Sequence, residues 1–236
     1  VTLDSKKKLL DENNKQKRNN KYTEERHFMK IKLCGIKRTE DIEYINEFRP
    51  DYIGFIFAPS ARQITPEHAA ILHKNLSIGI KSVGIFVNEP IDSVVRVTEI
   101  SGTDVIQLHG DEDKEYIDKL KKNTNKKIWK AVRVQSPDDI YSADRLGADF
   151  LLIDSFKDSQ YGGTGKTADW NVIKHTIIYT PFFLAGGINT GNIVEAISYV
   201  DPYGIDISGG IETNGIKDRE KIKKIMNIIN PYRFDS

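Results

Sequence analysis

Short apolar runs alternate with amphipathic stretches from Lys30 to the end of the chain. The stretches carry apolar residues at helical spacing, and several begin with helix-start residues such as Thr65-Pro66-Glu67 and Ser136-Pro137-Asp138. Strands that alternate with helices of about 10–15 residues are typical of right-handed βαβ units and a parallel sheet. The eight runs predicted as strands are Lys30–Cys34, Asp51–Phe57, Lys81–Val87, Asp104–Leu108, Lys127–Arg133, Asp149–Asp154, Pro181–Ala185 and Gly204–Ser208.

The number of these repeats decides between two α/β architectures. Eight strand–helix repeats fit a compact, closed (β/α)8 (TIM) barrel. An open doubly wound sheet is the alternative, but it normally contains fewer strands. The sequence therefore predicts an α/β protein with one (β/α)8 barrel domain over residues 29–236.

The first part of the chain has a different composition. Residues 1–28 contain eight Lys or Arg and five Asp or Glu, with few large apolar side chains and no helical stripe. Such a segment buries too little apolar surface to offset the entropy of ordering it. We expect a polar, disordered N-terminal extension, with a linker to a fused domain or an added outer helix as alternatives.

Strand alternation predicts which side chains point into the barrel. In the first strand Lys32 and Cys34 share the face opposite to the apolar residues, and in the eighth strand Asp206 and Ser208 do. Because these two strands are neighbours in a closed barrel, Lys32 and Asp206 are predicted to pair in its interior. Cys34, Asp154 and Ser208 fall at carboxyl-terminal strand ends, the rim on which barrel enzymes build their active sites.

Composition excludes several other classes. The 236 residues are 39% hydrophobic, and 35 basic against 34 acidic residues give a formal net charge of +1, too small to attract a nucleic acid or a membrane surface. No apolar run approaches the roughly 20 residues that cross a bilayer. The single cysteine excludes an internal disulfide and a cysteine-based zinc cluster. It also fits a reducing compartment, so we expect a cytoplasmic protein whose partner is a small molecule.

Five sequence blocks, in order, resemble the signature blocks of the phosphoribosylanthranilate isomerase family. The family catalyses a step of tryptophan biosynthesis, the Amadori rearrangement of a phosphoribosyl-amine to an aminodeoxyribulose phosphate. The resemblance covers the chain from about Lys30 onward and implies no metal and no redox cofactor. It also leaves open fusion to, or association with, other tryptophan-pathway domains. The blocks are Lys32–Ile36, Gly54–Phe57, Val105–Gly110, Tyr161–Thr167 and Leu184–Asn189.

The resemblance implies that Cys34 is the general base and Asp154 the general acid. The rearrangement needs an acid to open the furanose ring and a base to remove the C2' proton. A thiol titrates near pH 8.5, so Cys34 needs a cation nearby to be a thiolate at neutral pH, and we expect Lys32 or the substrate iminium to supply it. The alternatives are structural roles: Cys34 as a small buried apolar residue, and Asp154 as a polar residue at a strand end that caps a loop.

Two glycine-rich loops are expected to bind the substrate phosphate. They follow strands seven and eight, where barrels of this kind hold phosphate, and glycines let backbone N–H groups approach its oxygens. Ordinary turn chemistry is the alternative. The family usually has Ser-Ser-Gly after the eighth strand, so Gly209 removes one hydroxyl ligand and we expect weaker phosphate affinity. The expected phosphate-binding residues are Gly186, Gly187, Ser208, Gly209 and Gly210.

Three further residues are candidates for substrate binding. Arg62 suits the anthranilate carboxylate, because guanidinium pairs with carboxylates through two hydrogen bonds. The family has an aromatic residue after this arginine, whereas this chain has Gln63. His109 either contacts substrate or closes the barrel, and it lacks companions for a metal site. Asp206 either pairs inside the barrel or binds sugar hydroxyls.

Other functions predict different residues. A metal-dependent sugar-phosphate epimerase would need several His and Asp ligands at strand ends, where only His109 and Asp154 are available. The sister isomerase of histidine biosynthesis would have a carboxylate in place of Cys34. A non-catalytic barrel that binds a phosphorylated metabolite would bind without turnover, and the departures at Gln63 and Gly209 keep it open.

Overall fold

A computed structural model of the chain describes residues 28–154 and 170–233. The expected N-terminal extension lies outside this part, apart from Phe28. The block Tyr161–Thr167 also lies outside it.

Eight parallel strands close into a barrel in the order β1 to β8, with β8 paired to β1. Helices follow the strands on the outside, and a short antiparallel hairpin of β9 and β10 precedes the last helix. The predicted (β/α)8 barrel is therefore confirmed. The strands are β1 Lys30–Cys34, β2 Tyr52–Ile56, β3 Lys81–Phe86, β4 Val105–Leu108, β5 Lys127–Arg133, β6 Phe150–Asp154, β7 Phe182–Ala185, β8 Gly204–Ile207, β9 Glu212–Thr213 and β10 Ile216–Lys217. The helices are α1 Thr39–Phe48, α2 Pro66–Lys74, α3 Ile91–Ser101, α4 Lys114–Asn123, α5 Pro137–Asp144, α6 Trp170–His175, α7 Ile193–Val200 and α8 Arg219–Arg233.

Strand ends differ from the prediction by about one residue. Ser208 was expected to end the eighth strand, but β8 ends at Ile207 and Ser208 starts a short 3-10 turn over Gly209–Ile211. The fourth strand ends at Leu108 as predicted, and His109 is the next residue. These residues leave the ladder because the chain turns toward the rim, and a hydrophobic pattern does not register that turn.

Helix-start residues act as the sequence predicted. The hydroxyl of Thr65 accepts a hydrogen bond from the backbone N–H of His68 at the start of α2. At the start of α5, the carboxylate of Asp139 accepts hydrogen bonds from the backbone N–H and the hydroxyl of Ser136. These contacts satisfy backbone donors that the first turn of a helix leaves unpaired.

Alternation along the strands divides the apolar residues into two cores. Ile31 and Leu33 of β1 pack in the core between the strands and the helices. An inner cluster of rings fills the amino-terminal end of the barrel, where the Trp129 and Phe183 rings stack with their centroids 4.6 Å apart. Its other members are Tyr52, Phe150 and Tyr203. This plug closes one end of the barrel, so a ligand can enter only from the other.

Aspartates at the amino-terminal rim join neighbouring strands. Asp51, Asp104 and Asp149 accept hydrogen bonds from backbone N–H groups of the preceding strand in the barrel order. These hydrogen bonds give all three residues a structural role at this rim. Among the helices that the structure describes, none is long and apolar enough to cross a membrane.

Candidate active site

A pocket of about 880 Å³ opens at the carboxyl-terminal rim of the barrel. We call it the rim pocket. Every residue proposed for the site from the sequence lines it, although the ten come from six separate parts of the chain. They are Cys34, Arg62, His109, Asp154, Gly186, Gly187, Asp206, Ser208, Gly209 and Gly210.

Cys34 lies at the end of β1 and is 7% exposed. Its register partner on β2 is Gly54. A Cβ atom at Gly54 would lie 2.7 Å from the Cys34 sulfur, closer than van der Waals contact permits. Glycine at this position therefore makes room for the thiol in the barrel mouth.

Lys32 and Asp206 pair inside the barrel, as the sequence predicted. They are register partners on β1 and β8, and the Lys32 Nζ donates a hydrogen bond to Asp206 Oδ1 over 3.0 Å. Lys32 is fully buried and Asp206 is 9% exposed. Of the two roles open for Asp206, the ion pair is observed, and its side chain also lines the rim pocket.

The pKa of the Cys34 thiol is raised, so Lys32, one of the two cations expected to activate it, does not do so by itself. Burial raises the pKa most, and Asp206 raises it further. Lys32 and Lys217 lower it, but they do not offset the loss of hydration. Lys32 is too closely matched by Asp206 to act as an uncompensated positive charge beside the thiol.

Asp154 ends β6 and lines the same pocket as Cys34. Only β7 and β8 separate β6 from β1 on the shorter way around the barrel. The thiol and the carboxyl group thus flank one mouth, and the loops after β7 and β8 lie between them.

Those two loops pack closely. Gly186 and Gly187 have φ values of 89° and 66°, in the left-handed region that side chains disfavour. A Cβ atom at Gly210 would lie 2.0 Å from the carbonyl oxygen of Ile188, so this residue must be glycine for the loops to meet. Around a Cβ at Gly209 there is no heavy atom within 4 Å among the described residues. The departure from the usual family pattern therefore falls at an open position.

Arg62 lines the pocket and already has a carboxylate partner. Its Nε and Nη2 atoms donate to the two carboxylate oxygens of Glu212 over 2.7 and 2.6 Å. Gln63, the other departure from the family pattern, does not line the rim pocket and donates from its side chain to the carbonyl of Phe57. The expected anthranilate-binding role of Arg62 has to coexist with Glu212.

His109 has a low pKa. Burial, with Lys32 as the next cause, lowers its pKa from 6.5 to about 4, so the imidazole is neutral at neutral pH. Its Nδ1 lies 3.0 Å from the Nε2 of Gln107. The Gln107 Oε1 atom is buried and has no hydrogen-bond partner among the described residues. Gln107 also lines the pocket, although the sequence indicated it only as a member of the block Val105–Gly110.

Sequence reasoning missed several charged residues. Lys221 and Lys224 of α8 line the pocket beside the glycines of the β8 loop. The only signal was the three-residue spacing, which puts both on one face of a helix. Within residues 28–154 and 170–233, no group of three His, Cys, Asp or Glu side chains is arranged to hold a metal ion.

Barrel topology and a rim pocket with a thiol, a carboxyl group and two glycine-rich loops define an enzyme of the (β/α)8-barrel class. Residues 31–228 match the family described as N-(5'phosphoribosyl)anthranilate (PRA) isomerase. The chain belongs to this family.

Named relatives agree over nearly the whole of their length. The chain is 43% identical to the N-(5'-phosphoribosyl)anthranilate isomerase of Thermoanaerobacter pseudethanolicus, across 87% of this chain and 100% of that protein. It is 46% identical to the isomerase of Endomicrobium trichonymphae, across 85% of this chain and 98% of that one.

Solved structures agree with the fold. The phosphoribosyl anthranilate isomerase of Thermus thermophilus matches with a TM-score of 0.76 and 29% identity, over 87% of this chain and 100% of that one. A second isomerase structure, in complex with reduced 1-(o-carboxyphenylamino)-1-deoxyribulose 5-phosphate, matches with a TM-score of 0.73 and 30% identity. The match covers 86% of this chain and 98% of that one.

Proposed function

We propose that the rim pocket converts N-(5'-phosphoribosyl)anthranilate to 1-(2-carboxyphenylamino)-1-deoxyribulose 5-phosphate, with Cys34 and Asp154 moving the protons. The observation that carries the proposal is the convergence of this thiol and this carboxyl group on one mouth, beside two glycine-rich loops. The ligand in the second isomerase structure, the reduced form of this product, supports the substrate assignment.

Asp154 acts first, as the general acid. Its carboxyl proton passes to the furanose ring oxygen, the C1'–O bond breaks, and the nitrogen lone pair forms an iminium ion with C1'. A neighbouring cationic iminium acidifies the C2' hydrogen. Ring opening is therefore needed before a weak base can act.

Cys34 then removes the C2' proton as a thiolate. The electron pair of that C–H bond becomes the C1'=C2' double bond, which neutralises the iminium and leaves an enol at C2'. Protonation at C1' and loss of the enol proton give the ketone. Because burial raises the pKa of Cys34, the positive charge of the bound iminium is the group that stabilises the thiolate at the moment of transfer.

The ends of the substrate bind on opposite sides of these two residues. Gly186 and Gly187 after β7, and Ser208, Gly209 and Gly210 after β8, present backbone donors to the phosphate. Arg62 binds the anthranilate carboxylate, whereas Asp206 and the neutral His109 face the ribose hydroxyls. This orientation places C1' and C2' between the catalytic pair.

The decisive experiment follows the loss of phosphoribosylanthranilate fluorescence with Cys34→Ala and Asp154→Asn. Removing a general acid or base typically lowers the rate about 100- to 10,000-fold, and we expect each variant to lose that much kcat. Asp149→Asn is the matched control, because Asp149 precedes β6 at the opposite rim. Turnover within tenfold of wild type for either pocket variant would contradict its role, and binding without turnover by the wild type would indicate a non-catalytic barrel.

The remaining assignments concern the rest of the chain and its setting. Residues 1–28 form an extension that catalysis does not need, or a linker to another tryptophan-pathway domain, and residues 29–236 form the barrel domain. The lone, unpaired cysteine supports a reducing, cytoplasmic location. Deletion of residues 1–28 should leave kcat and KM unchanged, and a change in either would assign this segment to the site.

A further inference from the structure

Glu212, on the hairpin after β8, connects two cations beside the catalytic thiol. Its side chain is 6% exposed. One carboxylate accepts both hydrogen bonds from Arg62 and, at Oε1, a third from Lys217 Nζ over 2.7 Å. Lys217 also donates to the carbonyl of Ser208, and its side chain is 2% exposed. Glu212 and Lys217 are therefore buried and paired, whereas the Arg62 side chain is 35% exposed. Lys217 connects the cluster to the residue that starts the 3-10 turn.

The aliphatic part of the Arg62 side chain also has a close neighbour. Gly35, directly after Cys34, has a φ of 82°, and a Cβ atom there would lie 2.6 Å from the Cδ of Arg62. The arginine stem therefore lies against the bare backbone beside the thiol. Glu212 binds the guanidinium, so both the stem and the head of this long side chain have contacts that restrict its movement.

The two hydrogen bonds to Glu212 leave one edge of the Arg62 guanidinium available. Glu212 takes the Nε and Nη2 groups, which form one edge. Nη1 makes no hydrogen bond with any residue in the described part of the chain, and Arg62 lines the rim pocket. A guanidinium can hold two carboxylates at once, one on each edge, because its five N–H donors lie in a plane.

We propose that Glu212 is a positioning residue that holds one edge of the Arg62 guanidinium, so that the other edge faces the pocket and binds the substrate's aromatic carboxylate. This inference rests on the proposed function. Burial raises the pKa of Glu212, but the hydrogen bonds from Arg62 and Lys217 outweigh it and lower the pKa to about 2, so the carboxylate is charged at all working pH values. Without the contact to Glu212, the Arg62 side chain would lose conformational entropy each time it bound substrate.

The opposite rim of the barrel offers a matched control. Asp51 also bridges a lysine and an arginine: its carboxylate lies 3.0 Å from Lys30 Nζ and 3.0 Å from Arg233 Nη2. It lies near the aromatic plug, far from the rim pocket. Asp51→Asn and Glu212→Gln thus make the same chemical change at the two ends of one barrel.

The test compares two substrates with the full-length chain: phosphoribosylanthranilate and N-(5'-phosphoribosyl)aniline, which lacks the carboxylate. We expect Glu212→Gln to raise KM for the first about tenfold with a smaller change in kcat, the size of one weakened charge-assisted contact. For the aniline analogue the same variant should change KM less than twofold. Asp51→Asn should leave both KM values unchanged.

Each alternative predicts a different result. A fall in KM for phosphoribosylanthranilate would mean that Glu212 competes with the substrate for Arg62, and equal losses with both substrates would mean a general structural effect; either overturns the proposal. If Glu212→Gln fails to fold because Lys217 is left unpaired, the double variant Glu212→Gln/Lys217→Met removes the buried pair and gives the same comparison. A wild type that does not turn over phosphoribosylanthranilate refutes the proposed function instead.

Discussion

Lys32 and Asp206 face each other at the same level of β1 and β8, and their side chains meet inside the barrel over 3.0 Å. Cys34 lies two residues after Lys32 on the same face of β1. The pair therefore forms the floor below the thiol, and the two charges act on its pKa in opposite directions. Lys32 stabilises the thiolate, and Asp206 destabilises it.

The titration of Cys34 can be read directly, because it is the only cysteine of the chain. We expect its alkylation by iodoacetamide to have a pH midpoint above that of the urea-unfolded protein, since burial outweighs the nearby cations. Lys32→Met should move the midpoint further up, because it removes a cation and leaves the Asp206 carboxylate. A midpoint at or below that of the unfolded chain would contradict this balance of charges.

Lys32→Met should also destabilise the protein. Removing one partner of a buried ion pair leaves an uncompensated charge and typically costs about 3–5 kcal/mol of unfolding free energy. Urea unfolding measures this loss, and Lys223→Met on the exposed side of α8 serves as the control that should change neither property. A loss below about 1 kcal/mol would mean that water reaches Asp206.

His109 predicts a pH dependence of stability. Its pKa is lowered mainly by burial, from 6.5 to about 4, so between these values the unfolded chain binds a proton that the folded chain does not. The contribution is present in full above pH 6.5 and is lost as the pH falls toward 4, by about 3 kcal/mol, since one pKa unit corresponds to about 1.4 kcal/mol.

Urea unfolding at pH 7 and pH 4.5 with His109→Gln tests this window. Carboxylates also titrate there, so the comparison is between variants. The free energy of unfolding should fall less for His109→Gln than for wild type, and His175→Gln, at an exposed position at the end of α6, should behave like wild type. Equal losses in all three proteins would show that His109 takes up its proton in the folded state.

Lysines of α8 are expected to strengthen phosphate binding. Lys221 and Lys224 line the pocket beside Gly209 and Gly210, whereas Lys223 of the same helix does not. An exposed lysine near a phosphate dianion contributes modestly, so Lys224→Gln should raise KM, and the inhibition constant of inorganic phosphate, by about 3- to 10-fold with little change in kcat.

Lys223→Gln is the matched control for this effect, because it removes the same charge from the same helix. Its KM should stay within twofold of wild type. The difference between the two variants should shrink as salt is added, because ions screen exposed charges. Equal effects of both substitutions would indicate only the net charge of the helix.

Alternation was enough to predict the barrel interior. Lys32 and Asp206 lie 174 residues apart, yet period-two patterns and the adjacency of the first and last strands bring them together. The same reasoning put Cys34 and Asp154 at one rim. Inward position and strand end are properties of each strand by itself, so the sequence carries them.

The contacts of Arg62 could not be predicted in this way. Its partner Glu212 lies 150 residues away on a hairpin with two-residue strands, too short to show any periodicity. Lys221 and Lys224 resemble the solvated face of a helix. The raised pKa of Cys34 depends on how burial balances three charged neighbours, Lys32, Asp206 and Lys217, and residue types alone do not give that balance.

A substitution at Gly209 is expected to increase the affinity for the substrate phosphate. The usual family pattern has a serine here, and the space around the missing Cβ atom is open among the described residues. Gly209→Ser should therefore fold normally and add a hydroxyl donor to the phosphate. One added hydrogen bond to a charged group corresponds to roughly a tenfold fall in KM, with kcat unchanged.

Gly210→Ser tests the same loop with the opposite expectation. A Cβ atom there would lie 2.0 Å from the carbonyl oxygen of Ile188, so the loops after β7 and β8 must separate to admit it. We expect KM to rise at least tenfold and the thermal midpoint to fall. If Gly209→Ser leaves KM unchanged while Gly210→Ser raises it, the backbone donors of the loop already saturate the phosphate, and the departure at Gly209 has no effect on affinity.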